Sequence, residues 1–524
     1  MKRFLGLFLA ALMIASLAAC APTTPAPATS APSQTVAPAA TAAPAPAETQ
    51  APAAEEPVKL TFLCQINVDT EGFDVNDNPY INYLRETLNA DIEIISESAN
   101  YANKVNTVMA SGSYPDYVQM PKSLYFRYAQ EGALLKLDDL LNEADYPNLM
   151  SDVDEQWWNF TRVDGDIYAI PFVRYDTTPF LSYARKDWLE NLDIDYTSLK
   201  TVEDYYEMLH AFTYGDPDGN GIQDTYGLSS NTGGSAMNSV AERYMGMLFL
   251  DAFDAAQFQV KDGQLIPNYI TDGYKDYLNF LARLYADGII VPDYITKTQK
   301  QTEEEFMNGK FGVLNLFWSL SSLGSMRENL VPLAPPEKVN GGGQSKFVYA
   351  TPVRHFIGIT TACEHPEKIL QMYDWAHTDA GSEFIHAGVE DWDYDRVNGE
   401  LVIREDRVGI NWAWRFITLG HQKSNVDDQL LPILTQSWGE LAMQQLKLSE
   451  DYGTNDPIYV SAPEFSELAD YDFDTYVAEY RDQVVMGQKD VDSTWDDFVA
   501  GWYSFGGDHW VELYTEWYNT SYNK

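Results

Sequence analysis

A loop between residues 216 and 224 carries oxygen-bearing side chains at alternate positions, with glycines at its fourth and sixth positions. Carboxylate, amide and backbone carbonyl oxygens at this spacing match the first nine positions of a calcium-binding loop. The predicted ligands are Asp216, Asp218, Asn220, Ile222 and Asp224. Position twelve is Gly227, not the bidentate glutamate of an EF-hand, so the sequence predicts an isolated loop with one structural Ca²⁺. A turn rich in Asp, Asn and Gly that binds no metal is the alternative.

The first twenty residues have the pattern of a bacterial lipoprotein signal peptide. Lys2 and Arg3 precede an apolar run over residues 4–17, which is too short to span a bilayer comfortably. The run ends in Leu-Ala-Ala-Cys, which resembles a lipobox, so Cys20 is predicted to carry a lipid. An ordinary signal peptide with a chance cysteine is the alternative. We therefore expect the mature chain on the extracellular face of the cell membrane, held there by a lipid anchor only.

The mature chain begins with a tether and is strongly acidic. Residues 21–57 are almost entirely Ala, Pro, Thr and Ser, which cannot build a packed core and favour an extended linker. The chain has 78 acidic and 34 basic residues and a net charge of −44. This charge repels phosphate backbones and excludes nucleic acid as a partner. A well-solvated exported surface explains the acidity, and an acid-rich cation site is the alternative.

The length and the cysteine content set further limits. With 524 residues, 45% of them hydrophobic, the chain is too long for one ordinary core, so two packed lobes are expected. Three cysteines are few for a secreted protein stabilised by disulfides. Cys64 and Cys363 lie in apolar, strand-like runs, which favours buried free thiols, and a disulfide between them is the alternative.

The folded part begins with strands that alternate with helices. These elements must position any ligand-binding or metal-binding residues. Apolar patterning predicts strands over residues 58–65, 91–96 and 115–120. Helices are predicted between them, over residues 78–89 and 101–111. Such alternation implies a largely parallel sheet with helices on its faces.

Later segments follow the same rules. Predicted strands or extended stretches cover residues 168–175, 181–185, 311–318 and 347–362. Predicted helices cover residues 201–214, 274–287 and 366–377. Thr201 can cap the first of these helices, and Gly288 ends the second. Two helices near the end of the chain are predicted to begin with Ser493 and Asp508 as their caps.

Several segments, taken in order, resemble family 1 extracellular solute-binding proteins of ABC importers, in particular the large lipoprotein branch of Firmicutes. They are MASGSYPD (109–116), EGALLKLDDL (131–140), DIYAIP (166–171), RKDWL (185–189) and VVMGQKD (484–490). Each segment alone is weakly specific, whereas their shared order along the whole mature chain is typical of the family.

The resemblance implies an α/β, two-lobed, periplasmic-binding-protein-like fold of type II, with the ligand cleft between the lobes. Extended crossings at 168–175 and about 347–357 would join the lobes. The implied N-terminal lobe comprises residues 58–172 and about 353–400, and the C-terminal lobe residues 173–352 and about 401–524. The implied partners are a carbohydrate ligand and ABC permease subunits, and the chain is expected to be a monomer.

Sugars present flat C–H faces and rims of hydroxyl groups, which suit aromatic rings and polar side chains. Residues 306–318 resemble the segment that ends in a ligand-stacking tryptophan in the maltose-binding member of the family, so Trp318 is the first candidate. Met120 and Ser123 stand where that member carries a second stacking tryptophan and a polar partner, which argues against maltose-type specificity. For each candidate, packing or a solvated loop is the alternative. The remaining candidates, at the crossings and in two aromatic segments, are Arg174, Tyr175, Arg354, His355, Trp392, Tyr394, Trp412 and Trp414.

The sequence thus predicts a non-enzymatic binding protein for a carbohydrate, in the first place an oligosaccharide. A lipid-anchored glycoside hydrolase would also be acidic, aromatic and stabilised by calcium, and it would need a pair of carboxylates. The chain has no Gly-x-Ser-x-Gly elbow, no His-Glu-x-x-His motif and no Cys/His metal spacing, which argues against an enzyme. A surface sensor would share the fold, and a peptide or another polar solute stays open as the ligand.

Overall fold

The computed structural model describes residues 56–66, 74–97, 100–173, 181–230, 248–316, 320–349, 353–407, 431–456, 458, 462–463, 465–468 and 470–523. Glu56–Lys524 form one compact unit. Within the described ranges, no helix is both long enough and apolar enough to cross a membrane.

The strands are short and are numbered in chain order. They are β1 (Val58–Cys64), β2 (Ala90–Ser96), β3 (Tyr117–Met120), β4 (Arg162–Val163), β5 (Asp166–Ile167), β6 (Ala169–Val173), β7 (Leu181–Arg185), β8 (Tyr226–Leu228), β9 (Gln259–Lys261), β10 (Gln264–Ile266), β11 (Phe311–Leu316), β12 (Leu330–Pro332), β13 (Phe347–Tyr349), β14 (Val353–Ile359), β15 (Tyr394–Val397), β16 (Glu400–Ile403) and β17 (Gly453–Asn455).

The α-helices are numbered in the same way. They are α1 (Pro79–Leu88), α2 (Tyr101–Ala110), α3 (Lys122–Gln130), α4 (Pro147–Asp152), α5 (Glu155–Phe160), α6 (Lys186–Asn191), α7 (Val202–Tyr214), α8 (Asp272–Ala286), α9 (Gln299–Met307), α10 (Pro366–Ala376), α11 (Asp379–Ala387), α12 (Leu431–Trp438), α13 (Glu440–Tyr452), α14 (Phe473–Val485), α15 (Val491–Trp502) and α16 (Asp508–Trp517).

The first lobe is built on a five-stranded sheet in the order β2-β1-β3-β14-β6. β1 pairs in parallel with β2 and β3, whereas β14 runs antiparallel to β3 and β6. The core of this lobe draws on two separate stretches of chain, residues 60–173 and 353–385. The chain therefore leaves the first lobe after β6 and returns to complete it with β14.

The second lobe is built on a four-stranded sheet in the order β12-β7-β11-β8. β11 runs parallel to β8 and antiparallel to β7. Its core draws on residues 183–347 and 468–511. Two sheets with separate cores confirm the predicted two-lobed α/β architecture.

A small third hydrophobic cluster is formed by residues on either side of position 400. It joins Ala387, Tyr394 and Ile433. Helix α12 packs against β16 and α11, whereas α13 packs against β12 of the second lobe. The lobe boundary predicted at about residue 400 therefore falls in a segment with its own packing, and it stays a prediction.

The local sequence signals for several helices are confirmed. Thr201 caps α7 in a reciprocal capping box with Asp204, which satisfies backbone N–H groups that the first turn leaves free. The apolar stripe of α8 is buried at Tyr274, Leu278 and Leu281, because residues three and four apart share one helix face.

Two predicted caps near the end of the chain are wrong. Helix α15 begins at Val491, and its cap is Asp490, whose side chain accepts a hydrogen bond from the backbone N–H of Ser493. The earlier start buries Val491 in the second core. Asp508 is not a cap either, because it has helical dihedral angles and is the first residue of α16, which follows α15 across a kink at Gly506, where φ is +126°.

Cys64 and Cys363 are both free and buried, which confirms the prediction of buried thiols. Burial raises the pKa of the Cys363 thiol to about 12 and that of Cys64 well above its ordinary value. Both thiols therefore stay protonated at neutral pH, and neither has the character of a reactive cysteine.

Candidate functional site

The carboxyl ends of the parallel strands in the first sheet carry a buried amide. Gln119, one residue before the end of β3, is 1% exposed. Its side-chain oxygen accepts a hydrogen bond of 3.0 Å from the backbone N–H of Gln65, just after β1. The hydroxyl of Tyr101 donates to the carbonyl oxygens of Leu63 and Gln119. A buried polar group must be bonded to offset its desolvation, and these contacts do so at the strand ends.

The second sheet has a matching polar pair. Ser182 at the start of β7 faces Asn315 near the end of β11, and their side chains share a hydrogen bond. Both residues are buried. Beside them β8 runs into Ser229 and Ser230, and Thr302 of the neighbouring helix α9 donates to the carbonyl oxygen of Ser230.

Sequence reasoning did not single out Gln119, Ser182 or Asn315 as site residues. The signal was present, because each is a polar residue inside a short, otherwise apolar strand segment: YVQM, LSYAR and FGVLNL. A strand pattern alone does not tell which polar residue is buried, since this depends on how the sheet pairs.

Trp392 and Tyr394 lie together beside one hairpin, formed by β15 and β16, but in different surroundings. Trp392 precedes β15 and is 40% exposed, and the guanidinium of Arg407 lies 5.1 Å from its ring centroid. Tyr394 is buried, and its hydroxyl donates to the carboxylate of Glu383. Trp392 can therefore offer an aromatic surface to a ligand, whereas the Tyr394 side chain is engaged in packing.

A buried acid lies between these two aromatic residues. Asp393 is 1% exposed, and its Oδ1 accepts hydrogen bonds from the Tyr80 hydroxyl at 2.9 Å and from Nη2 of Arg407 at 3.1 Å. Its Oδ2 accepts from the backbone N–H of Val389 at 2.9 Å. Burial raises the pKa of the Asp393 carboxyl above its ordinary value, against the opposing effect of these donors.

His355 lies on β14, the strand that returns to the first lobe. Its ring is half-buried and stacks on Phe172 of β6, with centroids 5.7 Å apart. Arg354 is on the same strand, but its side chain lies outside the described residues. Met120 is buried at the end of β3. The other predicted positions, which lie outside the described residues, are Cys20, Arg174, Tyr175, Trp318, Trp412 and Trp414.

The loop at residues 216–224 brings its oxygen-bearing side chains together. The amide nitrogen of Asn220 lies 2.8 Å from Oδ2 of Asp218 and 3.4 Å from Oδ1 of Asp224. Both carboxylate oxygens of Asp216 lie 3.1 Å from the backbone nitrogen of Gly221. Asp218 and Asp224 thus lie near the Asn220 amide, and Asp216 bonds to the backbone of the same exposed turn; side-chain oxygens of this kind are the donors that calcium prefers.

The backbone of this loop supports the same interpretation. Gly219 and Gly221 have φ angles of +68° and +77°, a region that glycine adopts without strain. Among the described residues, no group of three or more His, Cys, Asp or Glu is close enough to hold a metal by those side chains alone. Calcium binding at this loop therefore stays a prediction, which also needs the amide oxygen of Asn220 and the carbonyl oxygen of Ile222 as ligands.

A polar hollow of about 370 Å³ lies on the second lobe beside α9. Lys297, 7% exposed, lies within it, with its ammonium 3.0 Å from Asp293 and 2.5 Å from Glu305. Lys310 lies 3.2 Å from the same oxygen of Glu305. Since these charges already neutralise one another, the hollow is explained by ion pairs that hold α9 in place.

Residues 82–319 match the protein family described as bacterial extracellular solute-binding protein. The chain is 32% identical over 248 residues to the lipoprotein LipO of Bacillus subtilis (strain 168). It is 27% identical over 242 residues to the polygalacturonan/rhamnogalacturonan-binding protein YtcQ of the same organism. These alignments cover 45% and 44% of this chain and 46% and 45% of the two relatives, so each spans about half of either protein.

The fold has solved counterparts. The ABC-transporter substrate-binding protein FusA of S. pneumoniae, as an EF-hand mutant in complex with fructo-nystose, superimposes with a TM-score of 0.66. The match covers 89% of this chain and 100% of that chain at 19% sequence identity. At this identity the likeness concerns the fold, and it confirms the two-lobed architecture predicted from the sequence.

Proposed function

We propose that this chain is a bacterial extracellular solute-binding protein that captures an oligosaccharide outside the cell and delivers it to the permease subunits of an ABC importer. The observation that carries the proposal is the polar character of the strand ends in both lobes, at Gln119 and at Ser182 with Asn315. In open α/β sheets, ligands bind beyond the carboxyl ends of the strands. Because Gln119, Ser182 and Asn315 are buried and already hydrogen-bonded, they would hold these strand ends in place, and exposed polar groups beside them would meet the hydroxyl rim of a sugar.

The names of two related proteins support a carbohydrate as the ligand. YtcQ is described as binding polygalacturonan and rhamnogalacturonan, and FusA was solved with fructo-nystose. The first two of these glycans are anionic and the third is neutral, so both classes belong in any test. The 40% exposed ring of Trp392 adds an aromatic face of the kind that stacks on sugar C–H groups.

Capture requires binding and closure, with no covalent step. Ligand hydroxyls would exchange hydrogen bonds with water for bonds to exposed polar groups of the cleft, while an aromatic ring covers a sugar face. Contacts to both lobes are complete only when the lobes approach, so the ligand favours the closed form. In this proposal the stacking residues are Trp318, Trp392, Trp412 and Trp414, and the residues on the hinge side are Arg174, Tyr175, Arg354 and His355. Tyr394, the other predicted aromatic candidate, is buried and would support the hairpin instead of touching the ligand.

Calcium would act as a structural ion at the loop that follows α7. Asp216, Asp218, Asn220, Ile222 and Asp224 would hold it. Bound there, Ca²⁺ would supply the positive charge that lets three carboxylates share one turn. The loop is also tied to α6, because the side-chain amide of Asn191 donates a hydrogen bond of 2.8 Å to the carbonyl oxygen of Pro217.

The proposed location is the extracellular face of the cell membrane. A lipid on Cys20 would hold the chain there, and residues 21–57 would act as an extended tether. The protein would work as a monomer that meets its permease subunits at the membrane surface.

The decisive experiment is a thermal-shift screen of the full chain, solubilised in mild detergent, against kestose, fructo-nystose, trigalacturonate and maltotriose with calcium present. A ligand at about 100 times its dissociation constant adds about 2.7 kcal/mol to the free energy of unfolding. Each stabilising glycan is then recovered and its mass is measured. An intact glycan supports a binding protein, a cleaved one identifies a hydrolase, and no response to any glycan rejects the carbohydrate proposal.

A further inference from the structure

Three side chains from distant parts of the chain meet beside Trp392. Tyr80 lies in the first turn of α1, Asp393 directly precedes β15, and Arg407 follows β16. Arg407 donates from Nη2 to the Tyr80 hydroxyl at 2.9 Å and to Oδ1 of Asp393 at 3.1 Å, and from Nε to the same oxygen at 3.2 Å. We call these three residues the 80–393–407 cluster.

The cluster holds the guanidinium of Arg407 in one orientation. Its hydrogen bonds to two buried partners come from both Nε and Nη2, so the guanidinium plane has little freedom to rotate. The Cζ atom of Arg407 lies 5.1 Å from the ring centroid of Trp392, within the range of a cation–π contact. The indole therefore has a fixed neighbour on one side, while 40% of the residue stays exposed.

The backbone on either side of Trp392 is also fixed by this cluster. The N–H of Val389 donates to Oδ2 of Asp393, and the N–H of Trp392 donates to the carbonyl oxygen of Val389. The carbonyl oxygen of Asp393 accepts from the N–H of Arg404 at the end of the hairpin. The backbone at Trp392 is therefore held by hydrogen bonds at Val389 and Asp393, and a rotation of the ring away from Arg407 would lose the cation–π contact.

We propose that the 80–393–407 cluster is a positioning device that fixes the Trp392 ring for stacking on the bound oligosaccharide. The inference rests on the proposed function. An aromatic side chain that is already held in its bound orientation loses less conformational entropy on binding, so the cluster raises affinity without touching the ligand. The residues of the cluster therefore act through Trp392.

A double-mutant cycle on glycan affinity tests this mechanism, because it measures whether two residues act through one another. Arg407→Lys keeps a positive charge for Asp393 but loses the planar group over the indole. The ligand for this test is the glycan that gives the wild-type protein the largest thermal shift. We expect Arg407→Lys to raise the dissociation constant of that glycan by about fivefold. In the background of Trp392→Ala, the same change should have an effect of less than about twofold.

Arg404→Lys is the matched control. Arg404 lies on the same hairpin and pairs with Asp395 at 2.7 Å, so its replacement should leave glycan affinity unchanged. Tyr80→Phe removes one hydroxyl from the cluster and keeps the ring, and it serves as the second variant if Arg407→Lys lowers the melting temperature strongly. Its smaller loss of affinity should likewise disappear in the Trp392→Ala background.

If Arg407→Lys lowers glycan affinity by the same factor in the wild-type protein and in Trp392→Ala, the inference is overturned and the proposed function stays intact. Unchanged affinity in the Arg407→Lys single variant would do the same. If kestose, fructo-nystose, trigalacturonate and maltotriose all fail to stabilise the unchanged protein, the proposed function falls, and this inference falls with it.

Discussion

The hydroxyl of Tyr80 donates a hydrogen bond of 2.9 Å to Oδ1 of Asp393, a residue 313 positions later in the chain. Tyr80 belongs to the first lobe, which the chain begins to build at β1, and Asp393 comes after the chain has completed β14 and returned. Both residues are buried. This bond attaches the β15–β16 hairpin to the first lobe, and losing either partner would leave a buried polar group unsatisfied.

The buried position of Asp393 predicts a pH-dependent contribution to the free energy of unfolding. Burial raises the pKa of its carboxyl above the ordinary value of about 3.9. The folded state then binds this proton more tightly, so the stabilising contribution is present below about pH 3.9 and is lost as the pH rises through the folded-state pKa. We expect the free energy of unfolding of the wild-type protein, minus that of Asp393→Asn, to fall as the pH rises. Urea unfolding between about pH 4 and 7 measures this difference.

Asp395→Asn provides a control of opposite sign. A hydrogen bond and ion pair with Arg404 lower the pKa of Asp395, so its contribution is present at neutral pH and is lost as the pH falls. A stability difference for Asp393→Asn that rises with pH, in parallel with that for Asp395→Asn, would contradict the assignment.

Gly388 is predicted to be irreplaceable for two separate reasons. Its φ angle is +94°, and a Cβ built there would lie 2.1 Å from Oδ2 of Asp393. We expect Gly388→Ala to lower the free energy of unfolding by about 3 kcal/mol, from backbone strain together with the displaced carboxylate. Urea unfolding measures the loss.

Gly399→Ala separates the two causes. Gly399 has a similar φ angle of +91°, but a Cβ there would meet nothing within 4 Å. Only the strain remains, so a loss of about 1 kcal/mol is expected. Equal losses at the two glycines would show that the contact with Asp393 contributes nothing.

Calcium should stabilise the protein through the loop at residues 216–224. We expect a chelator to lower the melting temperature, because calcium at about 100 times its dissociation constant adds about 2.7 kcal/mol to the folded state. Asp216→Ala should abolish this response, as measured by thermal unfolding with calcium and with chelator. Asp262→Ala is the matched control, since Asp262 is also an exposed aspartate with a φ angle above zero, +52° against +54°. A chelator effect that survives Asp216→Ala would place the ion elsewhere.

Lipidation at Cys20 can be tested without reference to the ligand. Cys20→Ser removes the thiol that would carry the lipid, so the protein should move from the membrane fraction to the medium when expressed in a Gram-positive host. Immunoblotting of the two fractions measures the shift. Cys363→Ser is the control, because that thiol is buried in the first lobe and should not affect location. Retention of Cys20→Ser in the membrane fraction would reject the lipid anchor.

Local patterns in the sequence determined many elements of this fold. The strands predicted over residues 58–65 and 91–96 correspond to β1 and β2, and the stripe beginning at Tyr274 corresponds to α8. Thr201 was sufficient to predict the start of α7. These predictions succeeded because strand alternation, helical periodicity and capping depend on residues a few positions apart.

The same reasoning misplaced the cap of α15. Asp490 and Ser493 both have side chains that can accept a hydrogen bond from a backbone N–H. The structure begins the helix at Val491, because burying Val491 in the second core favours the earlier turn. The residue type at position 493 therefore does not decide the start by itself, because packing of Val491 selects Asp490 as the cap.

By itself, the sequence determined the alternating α/β elements, the acidic character and the spacing of the calcium-type loop. Only the tertiary structure decided that Ser182 of β7 faces Asn315 of the neighbouring strand β11, and that Tyr80 bonds to Asp393. The reason is physical, because a hydrogen bond between residues far apart in the chain depends on sheet register and on how distant segments pack together, neither of which is specified by the residues beside each partner.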